Sequence, residues 1–132
     1  MPYKMHPKQY ENVLSLSSRD RYLHFVGKVA DWEQLWGLYE VNDGWLLRTS
    51  PENIKYISVW PHPTYANEIA KEYYPNYKEK VISIQEFMDG FLPDLKEENI
   101  KVGVFPDLNG SCIIIDAIEL LDDLRGECDL YE

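Results

Sequence analysis

The sequence predicts an α+β domain: a largely antiparallel sheet of about five strands packed with about five helices. Three observations carry this expectation. Apolar residues recur every three or four positions in several segments, as one face of a helix requires. Between them lie short runs of β-branched and aromatic residues bounded by Gly, Pro, Asn and Asp. Most of the links between those runs are short enough for hairpins, which make antiparallel pairs. The chain has 132 residues, 45% of them hydrophobic and 27% charged, so it reads as a single domain over 1–132.

The elements follow in order. A first helix is expected from about Pro7 to Leu16, with Tyr10, Val13 and Leu14 on one face. Ser17-x-x-Asp20 resembles a capping box, and a second helix runs from about Arg19 to Ala30 with Tyr22, Phe25, Val26 and Val29 inward. Leu35–Val41, Trp45–Arg48 and Lys55–Trp60 read as three strands. Asn42-Asp43-Gly44 and Ser50-Pro51-Glu52-Asn53 are the turns between them, which makes a three-strand meander. Thr64 is the expected cap of a helix carrying Ala66, Ile69, Ala70 and Tyr73. Glu79–Ser83 is a short extended piece. Ser83-x-x-Glu86 caps the next helix, whose stripe is Ile84, Phe87, Met88, Phe91 and Leu95, with a kink or break at Pro93. Lys101–Phe105 and Ser111–Ile115 form a C-terminal hairpin around Asp107-Leu108-Asn109-Gly110. Asp116-x-x-Glu119 caps a last helix that Gly126 should stop, leaving an acidic tail over 126–132.

The net charge is −10, and it is uneven. Residues 1–66 hold 7 basic and 7 acidic side chains, whereas residues 67–132 hold 6 and 16. This excludes a general nucleic-acid binder, which needs the opposite sign. It suits either a solvated helix face or a negative surface that steers a basic partner. No apolar run is long enough to span a bilayer, and the first residues carry no signal-peptide stretch, so no membrane contact is expected. Cys112 and Cys128 make neither a disulfide framework nor a metal site. Two such thiols fit a reducing, cytoplasmic setting, and neither reads as a nucleophile.

Few residues point to chemistry. His24 flanks a packed helix face and His6 lies near the terminus. His62 stands between Pro61 and Pro63, where a rigid backbone suits either a turn or a preorganised base. No metal-binding His/Cys cluster, phosphate-binding glycine loop or nucleophile–base pair accompanies it, so neither a catalytic set nor a cofactor is predicted. Glu97-Glu98 and Asp122-Asp123 are neighbours on helices and point in different directions. Four Trp, ten Tyr and four Phe are conspicuous. They fill a core, or they leave an aromatic interaction patch of Trp36, Trp60, His62 and Tyr65.

Trp36-Gly37-Leu38-Tyr39, Asp43-Gly44-Trp45, Val59-Trp60-Pro61-His62-Pro63-Thr64-Tyr65-Ala66 and Val104-Phe105-Pro106 occur here in one order. That series resembles the bacterial family known as domain of unknown function 2750, over about Ser18 to Arg125. The resemblance implies a small, stand-alone bacterial protein, mostly cytoplasmic, with no activity, cofactor or catalytic residue to transfer. It implies that Trp36, Trp45, Trp60, Pro61, Tyr65, Ala66, Phe105 and Pro106 define a shared fold or a shared surface.

The expectation is therefore a non-enzymatic, acidic module that binds a basic protein. An immunity-type inhibitor of a basic toxin domain is its concrete form. The alternative is a small ligand-binding domain or enzyme using the Trp60-His62-Tyr65 loop, with an acid beside it. Self-association into a homo-oligomer through a strand edge or the aromatic patch stays open.

Overall fold

Side-chain caps start the helices, though not always the expected ones. The computed structural model describes residues 4–131; Met1–Tyr3 and Glu132, the last acid of the tail, lie outside them. Helix α1 (Pro7–Leu14) starts behind His6, whose Nδ1 accepts the Lys8 N–H at 3.1 Å. Helix α2 (Ser18–Trp32) starts behind Ser17, whose hydroxyl accepts the Asp20 N–H at 3.1 Å. Helix α3 (Pro63–Tyr73) corrects one expectation: its cap is His62, not Thr64, with Nδ1 accepting the Thr64 N–H at 3.1 Å. At both His-Pro starts the proline takes the first helical position, where no N–H is needed, and an imidazole nitrogen replaces the usual oxygen.

Ser83 caps the next helix as expected, accepting the Glu86 N–H at 3.1 Å. That helix runs through α4 (Ile84–Glu86), a π turn (Phe87–Phe91) and α5 (Leu92–Glu97) without a break. The Leu92 N–H reaches back five residues to the Phe87 carbonyl. Pro93 has no N–H and its ring presses on the preceding turn. The widened π turn absorbs the irregularity that a sharp kink would otherwise take. The last helix, α6 (Ala117–Cys128), is capped by Asp116 and passes through Gly126 before a 3₁₀ turn at Asp129–Tyr131. Gly126 is thus not a stop. It keeps an ordinary negative φ, at the roughly 1 kcal/mol cost of glycine in a helix.

The strands form two sheets. β1 (Gln34–Glu40), β2 (Gly44–Trp45) and β5 (Lys78–Ser83) make an antiparallel sheet in the order β2-β1-β5. β3 (Leu47–Thr49), β4 (Lys55–Val59), β6 (Lys101–Val104) and β7 (Ile113–Ile115) make a mixed sheet in the order β3-β4-β6-β7. The α+β class holds, with the single meander corrected. The expected strand Trp45–Arg48 divides at buried Leu46, whose N–H still bonds Leu38, and the chain crosses there from one sheet to the other. The two sheets are joined by a reciprocal pair of backbone hydrogen bonds between Trp36 and Trp60, both 2.8 Å. The C-terminal hairpin is present, though its second strand begins at Ile113 rather than Ser111. β4 and β6 pair in parallel, Ile57 beside Val102 and Val59 beside Val104. A parallel pair needs a long crossover, and α3, β5 and the π-bulged helix supply it.

The buried apolar residues form one connected cluster from Val13 to Leu124. Phe25 and Val29 of α2, Val59 of β4, Val102 and Val104 of β6, and Leu120 and Leu124 of α6 have no exposed surface. Truncating Leu120 to Ala there should cost roughly 2–5 kcal/mol.

His24 sits half-buried on α2 with its ring centroid 6.1 Å from that of Phe105. Its Nε2 is buried and has no hydrogen-bond partner among the described residues. Burial first, and the Lys28 charge second, hold its pKa down at about 4. The unfolded chain takes up this proton near pH 6.5, so the stability that neutral His24 contributes is complete above that and is lost between about pH 6.5 and pH 4. In urea unfolding at pH 7 and pH 5, His24→Gln should flatten the decline. An unchanged slope would show that His24 does not carry it.

Candidate functional site

The Trp60–Tyr65 segment points into the protein. Trp60 and Tyr65 are 1% exposed and His62 5%. Trp60 donates its Nε1–H to the Pro106 carbonyl at 3.0 Å. The Tyr65 ring packs between Phe105 and Tyr10, at centroid distances of 4.6 and 5.2 Å. His62 is held in its capping role, 6.4 Å from the Tyr65 ring. Trp36 is half-buried and meets Trp60 through the backbone. The structure therefore gathers all four residues at the junction of the sheets, but not as an exposed patch. Three of the four lie in the core, where a large ring removes more apolar area from water than at the surface. The expected pocket lined by Trp60, His62 and Tyr65 is corrected for the same reason.

Arg21, which the periodicity argument passed over, is central to what surrounds Trp60. It is 2% exposed. Its Nε donates to the Phe105 carbonyl at 3.0 Å, and its Nη atoms donate to the Leu16 and Ser111 carbonyls and the Ser18 hydroxyl. The Asp107 carboxylate lies 3.7 Å away. Asp107 is itself engaged, its Oδ1 accepting from the N–H groups of Asn109 and Ser111 at 2.9 and 3.0 Å. Phe105 adopts φ +57°, a strained setting for a large side chain, costing about 1–3 kcal/mol. That conformation sends its carbonyl to Arg21 and its N–H to Val59 at 2.8 Å.

The loop anchored in this way forms one wall of a pocket of about 190 Å³. Tyr56 and Ser58 from one face of β4, and Trp60 just past its end, make the floor, with Leu46 and Arg48 beside them. Ile69 and Tyr73 of α3, and Tyr74 at its C-terminal end, close the other side. The Tyr73 hydroxyl donates to the Leu108 carbonyl at 2.7 Å and straps helix to loop. Arg48 donates to the Tyr74 hydroxyl, with its guanidinium carbon 5.4 Å from that ring's centre. Trp60 is the one residue of the expected site that reaches this pocket. Gly103 lets the Tyr56 ring lie flat on β6, since a Cβ there would come within 2.5 Å of it.

A second, more open cleft runs along the π-bulged helix, lined by Gln85, Glu86, Asp89, Gly90, Phe91, Asp94 and Leu95. Glu86, Asp89 and Asp94 are exposed, and Phe91 lies half-buried between them against Trp45. Among the described residues no three His, Cys, Asp or Glu side chains converge on a metal-holding position, and no helix is long and apolar enough to cross a membrane. The Cys112 thiol is pushed up to about 11, chiefly by burial, which disfavours the thiolate.

Residues 22–124 match a family model described as Protein of unknown function (DUF2750). The chain belongs to this family. The DUF2750 match spans both sheets and every residue lining the 190 Å³ pocket. It begins one residue after Arg21 and ends at Leu124 on α6. Within it, Trp60, Pro61, Tyr65, Ala66, Phe105 and Pro106 are buried and Trp36 and Trp45 half-buried, so these residues build the fold. No curated protein matches the chain.

Arg21→Met keeps the apolar stem and removes the donors. It leaves the carbonyls of Phe105 and Ser111 without that partner, at about 1–3 kcal/mol for each that stays buried. Amide hydrogen exchange across 105–111 should accelerate more than exchange in α6. Uniform acceleration would mean that Arg21 acts on the whole fold and not on this loop.

Proposed function

We propose that this DUF2750 protein is an acidic protein-binding module whose partner presents a basic face. The observation that carries this reading is the cleft along the π-bulged helix. Glu86, Asp89 and Asp94 rim it, and Phe91 and Leu95 offer apolar surface within it. Such a surface matches a Lys- or Arg-bearing segment, whose aliphatic stem lies on Phe91 while its charge meets the rim. Glu119, Asp122 and Asp123 extend exposed negative charge along α6, which raises the rate of encounter with a positive partner. Lys96 and Lys101 both pair with Asp116, at 2.9 and 3.7 Å, so one of their two charges is met there.

The concrete form of this function is a cytoplasmic inhibitor of a basic toxin domain, the immunity type. A nuclease must keep a positive active site to hold phosphate, so an acidic module can occlude it. Cys112 and Cys128 are not joined in a disulfide, which suits a reducing compartment.

The test is a tagged pull-down at low and high salt, followed by binding kinetics with the purified partner. The expected result is a basic protein released at high salt. Its association should slow in the triple variant Glu86→Gln/Asp89→Asn/Asp94→Asn, as loss of rim charge predicts. A partner whose binding ignores both salt and the three substitutions would overturn the reading.

A further inference from the structure

We propose that the pocket between β4, α3 and the 106–110 loop is a binding site for a small aromatic carboxylate, its anion on Arg48 and its ring against Trp60 and Ile69. This site lies apart from the acidic cleft, carries the opposite charge, and does not depend on the function proposed above.

Size sets the first limit. At about 190 Å³ the pocket falls below the ~300–1,000 Å³ of sites for drug-sized ligands, so its occupant is a small molecule.

Charge sets the second. Arg48 and Asp107 are the charged side chains lining the pocket. Asp107 is engaged by the Asn109 and Ser111 N–H groups and faces buried Arg21 at 3.7 Å. Arg48 has no carboxylate within ion-pair distance among the described residues. Tyr74 holds it in place by a hydrogen bond and by its ring, and takes only one of a guanidinium's five donors. The pocket thus has one positioned, solvent-exposed cation with which an anion can pair.

The donor set narrows the anion. Tyr56 sits directly across the strand pair from Arg48. Tyr56 and Ser58 line the pocket, and no hydrogen bond engages their hydroxyls among the described residues. Burial raises the Tyr56 pKa, which keeps that hydroxyl protonated and able to donate. Gly103 preserves the ring position that presents it. A phosphoryl group is usually met by a cradle of free amides or by several cations. Here the loop amides of Asn109, Gly110 and Ser111 are all occupied by Asp107. One planar guanidinium with two hydroxyl donors suits a planar carboxylate.

The remaining walls define the body of the ligand. Trp60 spends its N–H on Pro106, so it offers the pocket only ring carbon. Leu46, Ile69 and the Tyr73 ring add apolar surface. A flat ring is the shape that packs against an indole face or edge at favourable energy.

The experiment is titration of the full chain by two-dimensional NMR, with benzoate as probe and benzamide and inorganic phosphate as controls. Benzoate should bind saturably and shift the Trp60 indole signal. Benzamide should bind more weakly, and phosphate should not displace benzoate. Arg48→Met, an exposed position where the stem is retained, should raise the benzoate Kd roughly ten- to a hundredfold while leaving the core resonances in place. The proposal is overturned if benzoate shows no saturable shift, if benzamide binds equally well, if phosphate competes, or if Arg48→Met leaves the Kd unchanged.

Discussion

A buried guanidinium organises this protein. Arg21 is removed from water near the start of α2, and a charge there is tolerable only if its donors find acceptors. They find them in three separate stretches of chain: Leu16 and Ser18 at the α1–α2 turn, Phe105 beyond β6, and Ser111 before β7. Most of the compensation comes from carbonyl dipoles, since Asp107 is 3.7 Å away and busy with its own turn. The arrangement explains why Phe105 accepts a left-handed φ despite its size. The strain is local, and the contacts it permits tie the edge of the mixed sheet to the first two helices.

The aromatic residues complete that tie from the other side. Trp60 joins the sheets by backbone pairing with Trp36 and secures the 106–110 loop through Pro106. Tyr65 and Phe105 pack against each other with tilted rings, centroids 4.6 Å apart. A loop held both by Arg21 and by Trp60 is a firm wall, and a firm wall is what a small pocket needs if binding is not to spend its energy ordering the site. The aromatic and proline residues on which the resemblance to the DUF2750 family rests are thus framework residues, and the pocket they support is lined largely by others.

Two regions of opposite character result. The π-bulged helix and α6 carry the acidic excess outward, while the pocket on the mixed sheet is lined by Arg48, which pairs with no carboxylate among the described residues. They share no lining residue, and solvent and ions at roughly 0.15 M screen exposed charges beyond about 8 Å.

By itself the sequence determined what depends on neighbours within a few positions. Ser17, Ser83 and Asp116 cap helices because their side chains reach N–H groups two or three residues ahead. Asp43-Gly44 turns because glycine accepts φ +80° there. The α+β class, the helix faces and the acidic second half follow from the same local grammar. The His-Pro caps were within reach of it too, had imidazole been counted as an acceptor. Tertiary structure decided the rest. The Arg21–Ser111 contact spans 90 positions and the Trp60–Pro106 contact 46. The parallel pairing of β4 with β6 depends on a crossover of five intervening elements. Whether Trp60, His62 and Tyr65 face water, and which Arg is buried and which is left facing a pocket, are set by partners distant in the chain. Such contacts form only where closing a long loop is outweighed by the surface it buries, and no short window of residues records that balance.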